Sequence, residues 1–270
     1  MAPPAEDPEA QLVVESRPAP GVARLTLNQP QHRNALTEQL ASALRQHLAT
    51  LAQDGTVRAL VVAGAGSAFC AGADLGRLGA GASTASAKRE TLSDYYRAFL
   101  DLRDLGIPTI AAVQGPAIGA GLNLALCCDL RVVSEDARMA APFVKLGIHP
   151  GGGATWLLTH LVGPGPAREM LLLGEPLDAR RAVQLGLANK VVPRAELEES
   201  AVGWAAALAA LPRGVLQNLR RTLSLAESGA SFDEVLDFET ESQAEALTTE
   251  DAREGWAALR EHRPPRFRDR

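Results

Sequence analysis

The chain has 270 residues, 46% of them hydrophobic and 22% charged, which supplies apolar material for a large core and charge for a solvated surface. Its 27 basic and 32 acidic residues leave a net charge of −5, and with only 3 Trp, 2 Tyr and 6 Phe it has neither the charge nor the stacking surface for nucleic acid. The apolar runs at Ile107 to Val113 and Ala205 to Leu211 fall far short of the ~20 residues that cross a bilayer, so no membrane span is expected.

Residues 1–11 lack the basic start and apolar run of a signal peptide and read as a disordered leader, and a cytoplasmic location is expected. Alternation in Leu12–Ser16 and Val22–Leu27, separated by Pro18-Ala19-Pro20-Gly21, predicts two antiparallel strands. Thr37 then caps a helix whose Leu40, Leu44, Leu48 and Leu51 recur at helical spacing, and Ala59–Ala63 reads as a strand. The Gly/Ala/Ser-rich stretch 76–87 has no periodicity and is expected to be a mobile loop beside a ligand entrance. Helix is predicted over Arg89–Leu105, strand over Thr109–Val113, helix after Gly119 and strand at Leu130–Val133, an alternation that makes the class α/β.

Beyond Gly153 the sequence reads as helices at Ala154–Leu161, Pro166–Leu173, Ala179–Leu185 and Glu196–Leu211, with a short strand at Lys190–Val192. The break at Pro212-Arg213-Gly214 divides a core at 12–211 from a helical region at 212–270, whose helices are expected at Val215–Ala226, Phe232–Ala246 and Asp251–His262. Such a unit of about sixty residues needs to dock on the core or on another subunit.

Cys70, Cys127 and Cys128 form neither a disulfide framework nor a CxxC motif and read as reduced packing residues. The five histidines show no HExxH spacing, so no metal is indicated. Two glycine-containing segments stand out. Ser67–Leu75 follows a strand, and its small residues let a ligand approach the backbone; Gln114–Leu126 runs from a strand into a helix and presents free N–H groups to an anionic oxygen. Both also read as tight turns with close packing, and neither matches a nucleotide-phosphate loop.

Taken together, six segments in one order resemble the enoyl-CoA hydratase/isomerase family, the crotonase superfamily: Gln31–Leu36, Phe69–Leu75, Ile110–Gly121, Cys128-Asp129-Leu130, Leu146–Gly153 and Gly174–Ala179. The resemblance implies a spiral of ββα units with a helical C-terminal region, a homotrimer or hexamer, an acyl-CoA thioester as substrate, and no cofactor beyond the coenzyme A that the substrate carries. It puts the two oxyanion-hole amides on Ala73 and Ala120. Contacts to the coenzyme A portion fall on Arg33, Ala35, Ala71, Ala73, Asp74 and Leu75, and on His262 reaching from a neighbouring C-terminus.

The chemistry departs from that pattern. The two glutamates that hold and activate water in a hydratase fall on Asn123 and Phe143, and the aspartate that relatives use for isomerisation or halide displacement falls on Gly151. Asparagine has no useful basicity near neutrality and phenylalanine carries no exchangeable proton. His149, beside the segment implied to line the acyl pocket, is the remaining candidate base. The family resemblance favours an enzyme on acyl-CoA thioesters, whereas Asn123 and Phe143 favour a non-catalytic acyl-CoA-binding protein; a purely structural role predicts no acyl-CoA affinity.

Overall fold

The computed structural model describes residues 11–74 and 84–269. The expected leader except Gln11, the site candidate Leu75 and most of the glycine-rich loop lie outside the described residues.

Strands β1 (Val13–Ala19) and β2 (Val22–Leu27) pair antiparallel around Gly21, whose φ of +71° suits a residue without a Cβ. β3 (Ala59–Gly64), β4 (Thr109–Val113), β6 (Leu130–Ser134) and β9 (Lys190–Val192) then add in parallel, giving a six-stranded sheet in the order β1-β2-β3-β4-β6-β9. The two-residue period decides what each face buries. Leu60 and Val62 of β3 enter the main core, while Ala59, Val61 and Ala63 face the opposite side. That side is covered by helix α7 (Leu197–Ala209), whose Ala201, Ala205 and Ala209 repeat every four residues and permit close approach.

A repeated unit runs through the core. β2 leads to a bridge at Leu36 and then to α1 (Glu38–Gln53); β3 leads to bridges at Cys70 and Ala73 and then to α2 (Ala85–Leu100). β4 leads to the short β5 (Pro116–Ile118) and α3 (Ala120–Leu126), and β6 leads to β7 (Arg138–Ala140). The long strands build the large sheet. The short ones lie side by side in a second layer, through Leu36↔Ala73, Cys70↔Ala117 and β5↔β7, which β8 (Leu177–Asp178) extends. The class is α/β, as expected. The strands at 116–118, 138–140 and 177–178 are too short to show a period in the sequence.

Helix α2 begins at Ala85 because the Thr84 side chain accepts from the Ala87 N–H, which corrects the expected loop at 85–87. It also ends at Leu100, earlier than predicted. The following residues close in tighter turns, with Leu102 N–H donating to Phe99 O at 3.2 Å and Arg103 N–H to Leu100 O at 2.9 Å, while Leu102 and Leu105 stay buried. The apolar spacing therefore continues beyond the helix that it suggests.

Helices α4 (Ala154–Val162), α5 (Pro164–Leu173) and α6 (Ala179–Gln184) lead to α7, and α8 (Arg213–Glu227), α9 (Phe232–Leu247) and α10 (Glu250–Arg260) follow it. α8 is pinned to the core by Arg220, whose Nε donates to Asp129 at 3.0 Å; Asp129 in turn accepts from the Thr109 N–H at 2.7 Å. The final segment folds back over α10, where Asp251 accepts from the N–H groups of Arg268 and Asp269. Val215, Leu219, Leu223, Phe232, Leu236 and Leu247 of α8 and α9 remain exposed.

Candidate active site

Three of the sequence segments lie edge to edge. Ala71 N–H donates to Arg33 O at 2.9 Å and Leu36 N–H to Gly72 O at 2.8 Å; on the other side Cys70 N–H donates to Pro116 O at 3.1 Å and Ile118 N–H to Cys70 O at 3.0 Å. Ala35, Ala71, Ala73 and Asp74 thereby fall on one half-buried strip beside exposed Arg33. Asn34 holds it together. The residue is fully buried, and its Nδ2 lies 2.9 Å from the carbonyl oxygens of Ala65 and Ala68 and 3.2 Å from that of Phe69, while its Oδ1 accepts from the Gln29 N–H at 2.9 Å. Tyr95 on α2 adds a hydrogen bond to Leu36 O at 3.1 Å.

These pairings leave two amides over. The N–H groups of Gly72's successor Ala73 and of Ala120 have no hydrogen-bond acceptor among the described residues, since the neighbouring Gly119 N–H is taken up by Ala140 O at 2.9 Å. The turns that carry them touch. A Cβ on Gly72 would lie 2.6 Å from Ile118 O and 3.6 Å from Ala120 N, and Gly72 itself has a φ of +98°. Gly121 approaches Cys70 O so closely that a Cβ there would meet it at 2.2 Å. Glycine at 72 and 121 is what allows the two turns to approach so closely. Cys70 packs beneath them, and burial pushes its thiol up to about 12, which keeps it protonated and inert at neutral pH.

Asn123 stands one turn along α3 from Ala120, on the same face. It is 1% exposed, and its Nδ2 donates to Gly151 O at 2.8 Å and to Gly152 O at 3.3 Å. Those two carbonyls fix the amide's orientation, because a flipped amide would set oxygen against oxygen. The Oδ1 is buried with no hydrogen-bond partner among the described residues. Phe143, in a short turn at Pro142–Leu146, is half-buried, with its ring 3.9 Å from where a Cβ on Gly119 would stand. Asn123 and Phe143 therefore flank the Ala120 amide, and neither offers a carboxylate.

Gly151 has a neighbour that sequence reading did not single out. Its Cα is so close to Tyr96 that a Cβ would fall 2.1 Å from the phenolic oxygen, and a Cβ on Gly152 would meet Tyr96, Phe99 and Asn123 Nδ2 within 3.1 Å. Tyr96 fills the space that a side chain at 151 would need. The signal available in the sequence was that the chain's two tyrosines are adjacent on one predicted helix.

His149 is exposed, with Nδ1 2.7 Å from Pro150 O. His262 is also exposed; it follows α10, and its N–H reaches Leu259 O within its own segment. No cluster of three or more His, Cys, Asp or Glu suited to a metal occurs among the described residues, and no described helix is long and apolar enough to cross a membrane.

The model of the enoyl-CoA hydratase/isomerase family matches residues 17–270. A chain named probable enoyl-CoA hydratase EchA14 from Mycobacterium tuberculosis is 45% identical over 212 residues, covering 78% of this chain and 81% of its own. A probable enoyl-CoA hydratase from Mycobacterium bovis, EchA6, is 38% identical over 249 residues, covering 92% and 96%. Among solved structures, the enoyl-CoA hydratase of Bacillus anthracis superposes with a TM-score of 0.90 at 30% identity, over 96% of this chain and all of that one.

Proposed function

The chain belongs to the enoyl-CoA hydratase/isomerase family, and on that premise we propose that it binds acyl-CoA thioesters with the thioester carbonyl held by the N–H groups of Ala73 and Ala120. The observation that carries this reading is the pair of unpartnered amides on turns that glycine brings into contact. Two preorganised donors at one oxygen stabilise an enolate-like charge, and loss of one such donor typically costs about 3 kcal/mol of transition-state stabilisation. Arg33, Ala35, Ala71 and Asp74 form the strip along which the coenzyme A portion lies, and no further cofactor is required.

Efficient hydration does not follow from this site. The Asn123 Nδ2 is engaged by two backbone carbonyls and Phe143 is apolar, so neither can activate a water. The site polarises a thioester without the usual pair of carboxylates, which favours an acyl-CoA binder over a fast hydratase. His149 is the residue left to exchange a proton at C2. The exposed apolar residues of α8 and α9 support burial against further copies of the chain as a homotrimer or hexamer, in which His262 meets a neighbour's coenzyme A.

Calorimetry with butyryl-CoA and free CoA tests the reading, followed by the loss of enoyl absorbance with crotonyl-CoA. Butyryl-CoA is expected to bind more tightly than CoA and, at one hundred times its Kd, to stabilise the fold by about 2.7 kcal/mol. Hydration is expected to be slower by several powers of ten than with two carboxylates, a positioned acid or base being worth about 10² to 10⁴ each. Equal behaviour of butyryl-CoA and CoA would remove the carbonyl site. Turnover of about ten per second or faster would show a proton-handling group other than those named.

A further inference from the structure

Arg131 carries a charge that the fold leaves unbalanced. It stands on β6, is 2% exposed, and makes no ion pair among the described residues. Its Nε donates to Leu187 O and its Nη1 to Cys128 O, each at 2.7 Å, and both acceptors are neutral carbonyls. Its Nη2 has no acceptor among the described residues. Burial lowers its pKa, yet a guanidinium keeps its proton throughout the range in which proteins fold. A charge this deep is ordinarily paired, because taking it out of water is costly unless an opposite charge meets it.

Arg131 lines a cavity of about 230 Å³ between the end of α3, helix α4 and helix α8. Unlike Asn123 Oδ1, its unpartnered Nη2 is not sealed off by protein atoms, so it opens on this space. Two more guanidiniums stand in the wall. Arg103 lies over the Trp156 ring, 4.6 Å from its centroid, with Glu227 3.5 Å from its Nη2, and Arg220 pairs with Asp129 at 3.0 Å. Three arginines therefore meet two carboxylates, and Arg131 is the one left over. The cavity is smaller than the ~300 Å³ at which sites for drug-sized ligands begin, which suits a small anion. A guanidinium pairs best with the oxygens of a carboxylate or a phosphate. The Ala120 amide is at the other end of α3, seven residues or roughly 10 Å along the helix, so an anion held here is not the thioester oxygen.

We propose that Arg131, flanked by Arg103 and Arg220, holds a small oxyanion, a phosphate or a carboxylate, in the cavity under α8, at a site separate from the one for acyl-CoA. It is tested by calorimetry on the full chain with inorganic phosphate and with acetate, at constant ionic strength in chloride. One of the two is expected to bind with a Kd on the order of 1 mM or lower. Tighter binding of phosphate identifies the group as a phosphate, and tighter binding of acetate identifies it as a carboxylate. Arg131→Lys keeps the charge but removes the bonds to Leu187 and Cys128 and can unfold the chain, so the deciding variant lies elsewhere on the wall. Ser224 is exposed on α8 and lines the cavity; Ser224→Glu brings a carboxylate to it and is expected to weaken anion binding about tenfold or more, with folding checked by circular dichroism. If neither anion binds the unaltered protein, or if folded Ser224→Glu binds as tightly, the assignment fails.

Discussion

The Nδ2 of Asn123 donates to the carbonyl oxygen of Gly151 at 2.8 Å, so this side chain serves as a structural donor. A carboxylate in its place would face two carbonyl oxygens while 1% exposed. Asn123→Asp is therefore expected to destabilise the fold by about 2–4 kcal/mol at pH 7. The new acid's pKa is raised in the folded state, so the folded form binds more protons and stability falls as pH rises above ~4. Denaturant unfolding at pH 4 and pH 7 checks this: a variant as stable at pH 7 as at pH 4, relative to the unaltered protein, contradicts it.

Gly72 combines a φ of +98° with a Cβ position 2.6 Å from Ile118 O. Gly72→Ala is expected to cost about 2 kcal/mol or more and to separate the Ala73 and Ala120 amides. Butyryl-CoA affinity measured by calorimetry should drop about tenfold or more. Retained affinity in the folded variant would show that the two turns need not touch.

Asn34 supplies one buried amide to three carbonyls and one N–H, from a backbone with a φ of +54°. Asn34→Ala removes those bonds and sets alanine in a left-handed conformation, an expected loss of about 3 kcal/mol. In a chain of this length that lowers Tm by roughly 6–12 °C. Differential scanning calorimetry measures it, and a change below about 2 °C would mean that the 64–69 turn holds without the amide.

Glu254 anchors the C-terminal segment. Its carboxylate accepts from the Arg263 side chain at 2.6 Å and from the Arg266 N–H at 2.7 Å, which lowers its pKa from 4.5 to about 2. A lowered folded pKa means that the contribution is complete above the unfolded value and is lost as pH falls through the folded one. The tail is thus expected to stay docked at pH 5 and to loosen between pH 4.5 and about 2. A side-chain NMR titration of Glu254 should give a midpoint near 2; a midpoint near 4.5 would show that the tail does not hold it.

Much of this protein was legible in the chain. The alternation in β1 and β2, the apolar run of β3 and the leucine spacing of α1 gave strands and helices, because a long element must keep its apolar residues on the buried face. The ordered motifs pointed to the family. Tertiary structure decided the rest. The second layer of strands is two or three residues deep, below the length at which a period can appear, and it forms because distant turns pair with one another. Asn34 shows no helical or strand preference that announces its role; it becomes a staple only when three carbonyls converge on it. Tyr96 and Gly151 are separated by more than fifty residues, and their contact depends on α2 packing against the loop before α4. Local propensity and burial periodicity act along the chain, whereas the fit of a side chain into the space left by a glycine exists only after the chain has folded.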